Sequence, residues 1–326
     1  MYKSFENIRI FSGNGNRPLA QAICDYLHIP LGNASIGRFA DGEVNVKILD
    51  NIRNRDIFIV QSTCPPVNDT LMELLIMIDA VKRASAASIT AVIPYYGYAR
   101  QDRKAAPRTP ISAKLVADLI QVSGARRVVS VDLHANQIQG FFDFSVDNLY
   151  GAKVIVKYLK ETLWKESFNP ETNRSNIVMV SPDVGGAERA RAFSKKLNGT
   201  MAIVDKHRSA PNVSAVMNLI GEVEGKDAVL LDDMVDTAGT LTHAAQAIKE
   251  KGARTVWACC THPLLSRNAM ERIEASPIER LIVTDSIPLR DDAKASKKIC
   301  VVSVAELLAE AIRRLTTNES LSELFT

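Results

Sequence analysis

Apolar residues along this chain follow two alternating rhythms. Short unbroken apolar runs predict strands buried on both faces, and longer stretches with apolar residues three or four apart predict helices packed against them. In the first half the pattern predicts strands at 8–11, 44–48, 57–60, 89–93 and 128–131, and helices at 18–27, 67–86 and 110–122. The second half predicts a helix at 152–164, a strand at 177–180, a helix at 186–197, and strands at 201–204 and 228–231. A helix at 241–251, strands at 255–260 and 281–283, and a last helix at 304–315 follow. Such alternation is the signature of an α/β fold with a mainly parallel sheet flanked by helices. The two halves read as two copies of one α/β plan. The most polar interruption, KESFNPETNRSN at 165–176, predicts a surface loop.

Length and composition narrow the picture. The 326 residues suffice for two domains, each with its own core, and 46% hydrophobic with 24% charged residues is an ordinary globular mixture. A net charge of +3, dispersed along the chain, gives no footing for nucleic acid. The opening MYKSFENIRIFSG has no signal-peptide core, and the most apolar helical stretch, 71–81, is broken by Glu73 and Asp79, so no membrane segment is expected. Five cysteines without a C-x-x-C pair predict buried thiols in a reducing cytoplasm.

Chemistry concentrates in AVLLDDMVDTAGT at 228–240. Four apolar residues predict a buried strand, with Asp232 and Asp233 at its end. Asp236, Thr237, Ala238, Gly239 and Thr240 then form a small polar turn that opens a helix. Small residues let backbone N–H groups approach a ligand, and a helix N-terminus adds partial positive charge, so the turn suits a phosphate. Paired acids beside it can accept from sugar hydroxyls, which makes a sugar phosphate the better fit. The plainer alternative is that Asp236 only caps the helix.

Other stretches carry weaker signals. Gly13-Asn14-Gly15-Asn16-Arg17-Pro18 imitates a dinucleotide fingerprint but has Pro18 where the third glycine belongs, and a helix starting there explains it. No Walker loop occurs. Arg38, Phe39, Ala40, Asp41, Gly42 and Glu43 combine an aromatic face with two acids, able to stack on a base and accept from its amine or hold a magnesium-bound water. The loop 94–104 follows a predicted strand with Arg100, Gln101, Arg103 and Lys104 beside tyrosines, which suits a polyphosphate. His134 and Asp183 each follow a strand, and a lone residue of either kind is more often structural. Taken together with the turn at 236–240, they are expected to face one crevice. Lys206, His207 and Arg208 stand after a strand as a cationic turn able to fold over a transferring phosphoryl group. His207 and His243 are expected at the surface.

Five stretches, RFADGE, YARQDRK, VDLHANQIQGFFD, SPDVGGAERARA and DDMVDTAGT, resemble in the same order the class I ribose-phosphate diphosphokinases over essentially the whole chain. The resemblance implies two tandem phosphoribosyltransferase-like domains, 1–150 and 151–289, with a C-terminal segment from about 290 to 326 packing back on the first. It implies ATP at Phe39, Asp41, Gly42, Glu43, Arg100 and Gln101, and magnesium near His134 and Asp183. Ribose 5-phosphate would sit with its hydroxyls on Asp232 and Asp233 and its phosphate on the turn from Asp236 to Thr240, with Arg208 nearby. Lys206 and Arg208 match the family's catalytic loop. The implied reaction moves the β,γ-diphosphoryl group of ATP to the ribose 1-hydroxyl and releases AMP. Homohexamers with ATP sites completed across a subunit boundary are implied too, as are phosphate and ADP effectors at Arg53, Arg83 and Ser303.

Two rival readings share parts of this pattern. A phosphoribosyltransferase shares the DDMVDTAGT turn but has no use for RFADGE, YARQDRK or a second α/β half. A non-catalytic synthetase-associated subunit would be expected to have damaged ATP or metal residues, whereas Lys206, Arg208, His134 and Asp183 are all present.

Overall fold

The computed structural model describes residues 5–207 and 216–325, and for 205–207 and 216–217 the backbone alone. Two compact units divide the chain: residues 1–150, 286–288 and 303–326 form one, and 151–285 with 289–302 the other.

The first unit opens with β1 (Ile8–Ser12), whose five residues leave scarcely any surface to water. Helix α1 (Arg17–Leu27) follows, capped by the Asn16 side chain with Pro18 in its first turn. Next come β2 (Ala34–Arg38) and β3 (Val44–Ile48), an antiparallel hairpin of its own. β4 (Asp56–Val60), α2 (Val67–Arg83), β5 (Ser88–Ile93), α3 (Ser112–Ser123), β6 (Arg127–Val131) and β7 (Ser145–Leu149) complete the alternation. Strands β1, β4, β5, β6 and β7 lie in the order β1-β4-β5-β6-β7, all parallel. β2 and β7 escape a purely apolar scan because their residues alternate in burial or are polar. Helix α2 stops at Arg83, three residues short of expectation, where Ala84 ends it. Its first turn holds Asp69 and its last Lys82 and Arg83, both matched to the helix dipole.

In the second unit, α4 (Ala152–Glu161) breaks at Thr162 and α5 (Leu163–Ser167) continues. The stretch 165–176 corrects the surface-loop expectation: after α5 it forms the short hairpin β8 (Phe168–Asn169) and β9 (Arg174–Ser175). Trp164 explains the difference, stacking on Phe168 with ring centroids 4.1 Å apart and donating from Nε1 to the Leu197 carbonyl at 2.9 Å. The sheet then builds from β10 (Ile177–Ser181), α6 (Ala187–Lys196), β11 (Thr200–His207), β12 (Val216–Ile220), β13 (Asp227–Val235), α7 (Gly239–Glu250) and β14 (Thr255–Pro263). α8 (Ala269–Ala275), β15 (Arg280–Thr284), α9 (Asp291–Ala295) and β16 (Ile299–Val302) finish it. The order is β12-β11-β10-β13-β14-β15-β16, parallel except where β12 runs against β11.

The chain then returns to the first unit as α10 (Ala305–Thr317), packed on α1. The last returning segment starts at Ser303, later than the 290 expected, because β16 pairs with β15 and keeps 289–302 in the second unit. The five cysteines are free, and four are buried; Cys300, on the edge strand β16, is half-exposed and departs from the buried expectation. No helix among the described residues is long and apolar enough to cross a membrane.

One buried carboxylate ties the second unit together. Asp227, at the start of β13, has a side chain fully shielded from water. It accepts from Arg254 Nε at 2.8 Å, from Thr255 Oγ1 at 2.9 Å and from Ser167 Oγ at the end of α5. Burial alone would raise its pKa, but these donors and the guanidinium charge of Arg254 leave it below the usual carboxylate value. Asp227→Ala is therefore expected to cost about 2 kcal/mol at neutral pH, because it leaves the Ser167 and Thr255 hydroxyls without their acceptor while half-exposed Arg254 can turn to water. A depressed folded pKa gives stability that is present above the unfolded value and lost as pH falls through the folded one. The difference from the native protein should shrink below about pH 4 in urea melts; a pH-independent difference would deny the carboxylate its role.

Candidate functional site

β13 is central, between β10 and β14. Its pairing with β10 stops at Leu230, while the β14 ladder continues through Asp232↔Cys260 to Val235↔Pro263. Asp232 and Asp233 thus lie inside the strand, not after it as expected, because β14 runs on and keeps pairing. Asp233 is buried and Asp232 half-buried. Asp233 N donates to Asp232 Oδ1 at 2.9 Å, and Arg189 Nη1, from the first turn of α6, stands 3.5 Å from Asp233 Oδ1. Burial, then the Asp233 carboxylate beside it, push the Asp232 pKa up to about 8; the Asp233 amide and Arg189 pull the other way without prevailing.

The turn after β13 is held by its carbonyls. Leu265 N donates to Val235 O at 2.9 Å, Ser266 N to Asp236 O at 2.8 Å, and Arg272 Nη1 to Thr237 O at 3.1 Å. Ala238 adopts a left-handed conformation, φ 58° and ψ 1°, and caps α7 without any side-chain bond, so Asp236 is not the helix cap. The amides of Thr237, Gly239 and Thr240 find no acceptor among the described residues. Unpaired amides on a helix N-terminus behind two carboxylates form a pocket for an anion that also donates hydroxyls.

Asp183 follows β10 and is exposed. Its Oδ1 accepts from Gly186 N at 3.0 Å, and Ser181 Oγ donates to its carbonyl at 2.6 Å. A Cβ on Gly186 would come within 2.5 Å of that hydroxyl, so the bend requires glycine. The backbone of Lys206 pairs opposite Met217, because β11 extends to His207 and beyond the strand expected. The side chains of Lys206 and His207, and Arg208 altogether, lie outside the described residues. His243 is exposed on α7.

In the first unit, Phe39, Asp41, Gly42 and Glu43 share the tip of the β2–β3 hairpin, all exposed, with Phe39 at 54%. The tip closes through Phe39 N to Glu43 O at 2.8 Å, Gly42 N to Phe39 O at 3.0 Å and Glu43 N to Asp41 Oδ1 at 3.1 Å, with Gly42 at φ 95°. Arg100 and Gln101 leave the end of β5; Ser112 Oγ donates to Gln101 Oε1. His134 leaves the end of β6 exposed. Its loop is fixed by Asp132 N on Leu149 O at 2.8 Å and Leu133 N on Asn148 Oδ1 at 2.9 Å. Within each unit the strand-borne candidates therefore gather at the C-terminal ends of parallel strands, where open α/β sheets bind ligands. The hairpin belongs to neither large sheet.

Arg53 sits on a loop and Arg83 ends α2; the segments just after them are joined by Asn54 N on Ser85 O at 2.9 Å, and Arg83 pairs with Asp79 at 2.7 Å. Ser303 Oγ accepts from Ala305 N at 3.1 Å at the start of α10. A cavity of about 450 Å³ opens at the opposite, N-terminal edge of the first sheet, beside Lys82, Gln121, Arg126 and Asp143, and holds none of the candidates. No group of three or more potential metal-ligating side chains forms among the described residues. Sequence reasoning missed Arg189, although it lies within SPDVGGAERARA as a cation in the first turn of α6. It also missed the contacts of the hairpin with α2, which no local pattern signals.

Comparison with known proteins adds a second line of argument. The family model described as the N-terminal domain of ribose phosphate pyrophosphokinase matches residues 8–124, and one described as a phosphoribosyl synthetase-associated domain matches 206–326. A protein named ribose-phosphate pyrophosphokinase from Wolinella succinogenes is 55% identical over 317 residues, 97% of this chain and 98% of its own. One of the same name from Agrobacterium fabrum is 54% identical over 98% of this chain and all of its own. The crystal structure of phosphoribosylpyrophosphate synthetase from Mycobacterium smegmatis aligns with a TM-score of 0.88 at 39% identity, covering 96% of this chain and 100% of that one.

The raised pKa of Asp232 fixes a pH signature. Between its ordinary value and about 8 the folded protein holds a proton that the unfolded chain has released, so stability falls as pH rises through that window. Asp232→Asn should melt higher than the native protein at about pH 9, and the gap should narrow steadily as pH falls towards about 4. Equal melting temperatures at both values would mean that Asp232 and Asp233 do not compete for the same proton.

Proposed function

The chain belongs to the ribose-phosphate pyrophosphokinase family, and from that premise we propose how its residues divide the work. The reaction transfers the β,γ-diphosphoryl group of ATP to the 1-hydroxyl of ribose 5-phosphate and yields 5-phosphoribosyl 1-diphosphate and AMP. The observation that carries the residue assignment is the turn of unpaired amides directly after two crowded carboxylates. The 5-phosphate sits on the amides of Asp236, Thr237, Ala238, Gly239 and Thr240 at the head of α7, with Arg208 alongside. The ribose hydroxyls donate to Asp232 and Asp233, which favours the doubly ionised pair and anchors the sugar. The 1-hydroxyl oxygen then attacks the β-phosphorus and gives up its proton to solvent, the bond from the β-phosphorus to the oxygen it shares with the α-phosphate breaks, and AMP leaves with that oxygen. Lys206 and Arg208 carry cationic charge towards the transferring group, which needs charge stabilisation more than covalent help.

ATP binds with its base on Phe39, its amine and hydration held by Asp41 and Glu43 around Gly42, and its phosphates near Arg100 and Gln101. The exposed ring and acids of the hairpin tip support this assignment. Magnesium would be held at His134 and at Asp183. An exposed carboxylate with an oxygen to spare suits a hard cation that keeps most of its waters and meets the protein at one or two groups. When bound, the ion neutralises phosphate charge. Phosphate and ADP act as effectors at Arg53, Arg83 and Ser303, supported by the bond from Asn54 N to Ser85 O that brings the segments next to the two arginines together. A homohexamer is supported by an exposed apolar stripe on α3, Leu115, Leu119 and Val122, which a further copy of the chain would cover. The free thiols agree with a cytoplasmic setting.

Two kinetic outcomes test the assignment. Asp232→Asn should raise KM for ribose 5-phosphate and leave KM for ATP near its native value; parallel changes in both would remove the pair from the sugar site. Lys206→Ala should lower kcat about a hundredfold, the equivalent of roughly 3 kcal/mol of transition-state stabilisation, with KM for ATP little changed. Near-native turnover, followed as AMP release, would reject its role.

A further inference from the structure

The hairpin that bears Phe39, Asp41 and Glu43 is outside both large sheets, so something other than a sheet ladder must hold its tip in place. Its base is held by packing: Ala34, Ile36, Val46 and Ile48 lie against the core of the first unit. The tip is held by one guanidinium. Arg38 donates from Nη1 to the Gly42 carbonyl at 2.9 Å, inside the tip, and its Nη2 lies 2.9 Å from Asp69 Oδ2 in the first turn of α2. A planar guanidinium can serve both partners at fixed angles, which an ammonium cannot. One turn further along α2, buried Glu73 accepts from Asn14 Nδ2 at 2.9 Å, from Asn14 N at 3.0 Å and from Gln61 Nε2 at 3.0 Å. Asn14 Nδ2 also reaches the Ile36 carbonyl of β2 at 3.5 Å.

The same turn of α2 grips a second stretch. Asn68 Oδ1 accepts from Tyr98 Oη. Tyr98 stands at φ 64°, and its carbonyl accepts from Gln101 N at 3.3 Å, so it sets the course of the backbone through Arg100.

We propose that Asn68 and Asp69 are positioning residues for ATP: Asp69 aims the hairpin tip through Arg38, and Asn68 aims the Arg100–Gln101 loop through Tyr98. The proposal rests on the assignment of those two stretches to ATP. Neither residue touches the nucleotide. Asp69 and Arg38 are each somewhat more than two-fifths exposed, so the pair adds little to global stability, and its effect falls on geometry. Asp69 also complements the α2 dipole, and a purely structural role would lower the melting temperature without separating the two substrates.

A double-mutant cycle with steady-state kinetics on the full chain distinguishes the two roles. Arg38→Ala and Asp69→Ala should each raise KM for ATP about fivefold, the scale of one exposed ion pair, and the double variant should rise no further. KM for ribose 5-phosphate should stay within about twofold in all three. Tyr98→Phe, which deletes only the hydroxyl, should also raise KM for ATP, and Asp69→Asn repeats the test should the alanine variant fail to fold. Native KM for ATP in the Asp69 variants overturns the hairpin half of the proposal, and in Tyr98→Phe the loop half. Additive effects of Arg38→Ala and Asp69→Ala overturn the coupling. Phe39→Ala separates the two failures: if it raises KM for ATP while the Asp69 variants do not, the positioning idea alone is wrong. If Phe39→Ala leaves KM unchanged, the hairpin assignment fails and the Asp69 proposal falls with it.

Discussion

Two carboxylates on successive residues of a strand, one buried and one half-buried, cannot both be ionised cheaply even with the Arg189 guanidinium 3.5 Å from one of them. Ordinary strands alternate their side chains across the sheet, yet here the second acid donates its own amide to the first and draws the two groups together. What makes this tolerable is the ladder beneath it. β14 pairs with β13 past both acids, so the backbone stays paired on that side while the two carboxylates crowd each other. In the reading proposed above, a ligand's hydroxyls donate to the crowded pair and its phosphate rests on the amides of the following turn.

The first unit solves a different problem. Its candidates sit on loops and on a hairpin outside the large sheet, held by packing at the hairpin base, by β7 beside His134 and by polar contacts with α2. The Gly13-Asn14-Gly15 cluster belongs to that scaffold. A Cβ on Gly15 would approach the Ser62 carbonyl to 2.4 Å, and one on Gly13 would strike the Gln61 side chain, so the loop can close over Gln61 and Glu73 only with glycine at both positions. What resembles the start of a cofactor fingerprint is a packing requirement.

Much of this was legible in the chain. Buried parallel strands announce themselves as apolar runs, and the strands at 57–60, 89–93, 128–131 and 177–180 fall where the pattern predicts. Motifs that close over five or more consecutive residues, such as the turn at 236–240, were legible for the same reason: their chemistry is local. What escaped was set by partners distant in sequence. β2 and β7 are amphipathic or polar and exist because β3 and β6 offer them a ladder. The fold of 165–176 depends on Trp164, Leu197 and Asp227, far apart in the chain. The extension of β13 past Leu231 depends on the length of β14. Arg38 with Asp69 and Arg189 with Asp233 are contacts between elements, which neither periodicity nor spacing encodes.

The claim that the acidic pair is completed by the sugar can be tested by calorimetry. Ribose 5-phosphate titrated into the protein at about pH 7.5, in two buffers of different ionisation enthalpy, reports protons exchanged on binding. The account predicts release of a proton from the Asp232–Asp233 pair on binding, abolished in Asp232→Asn. Binding with no net proton release in the native protein, or release that persists in Asp232→Asn, would contradict it.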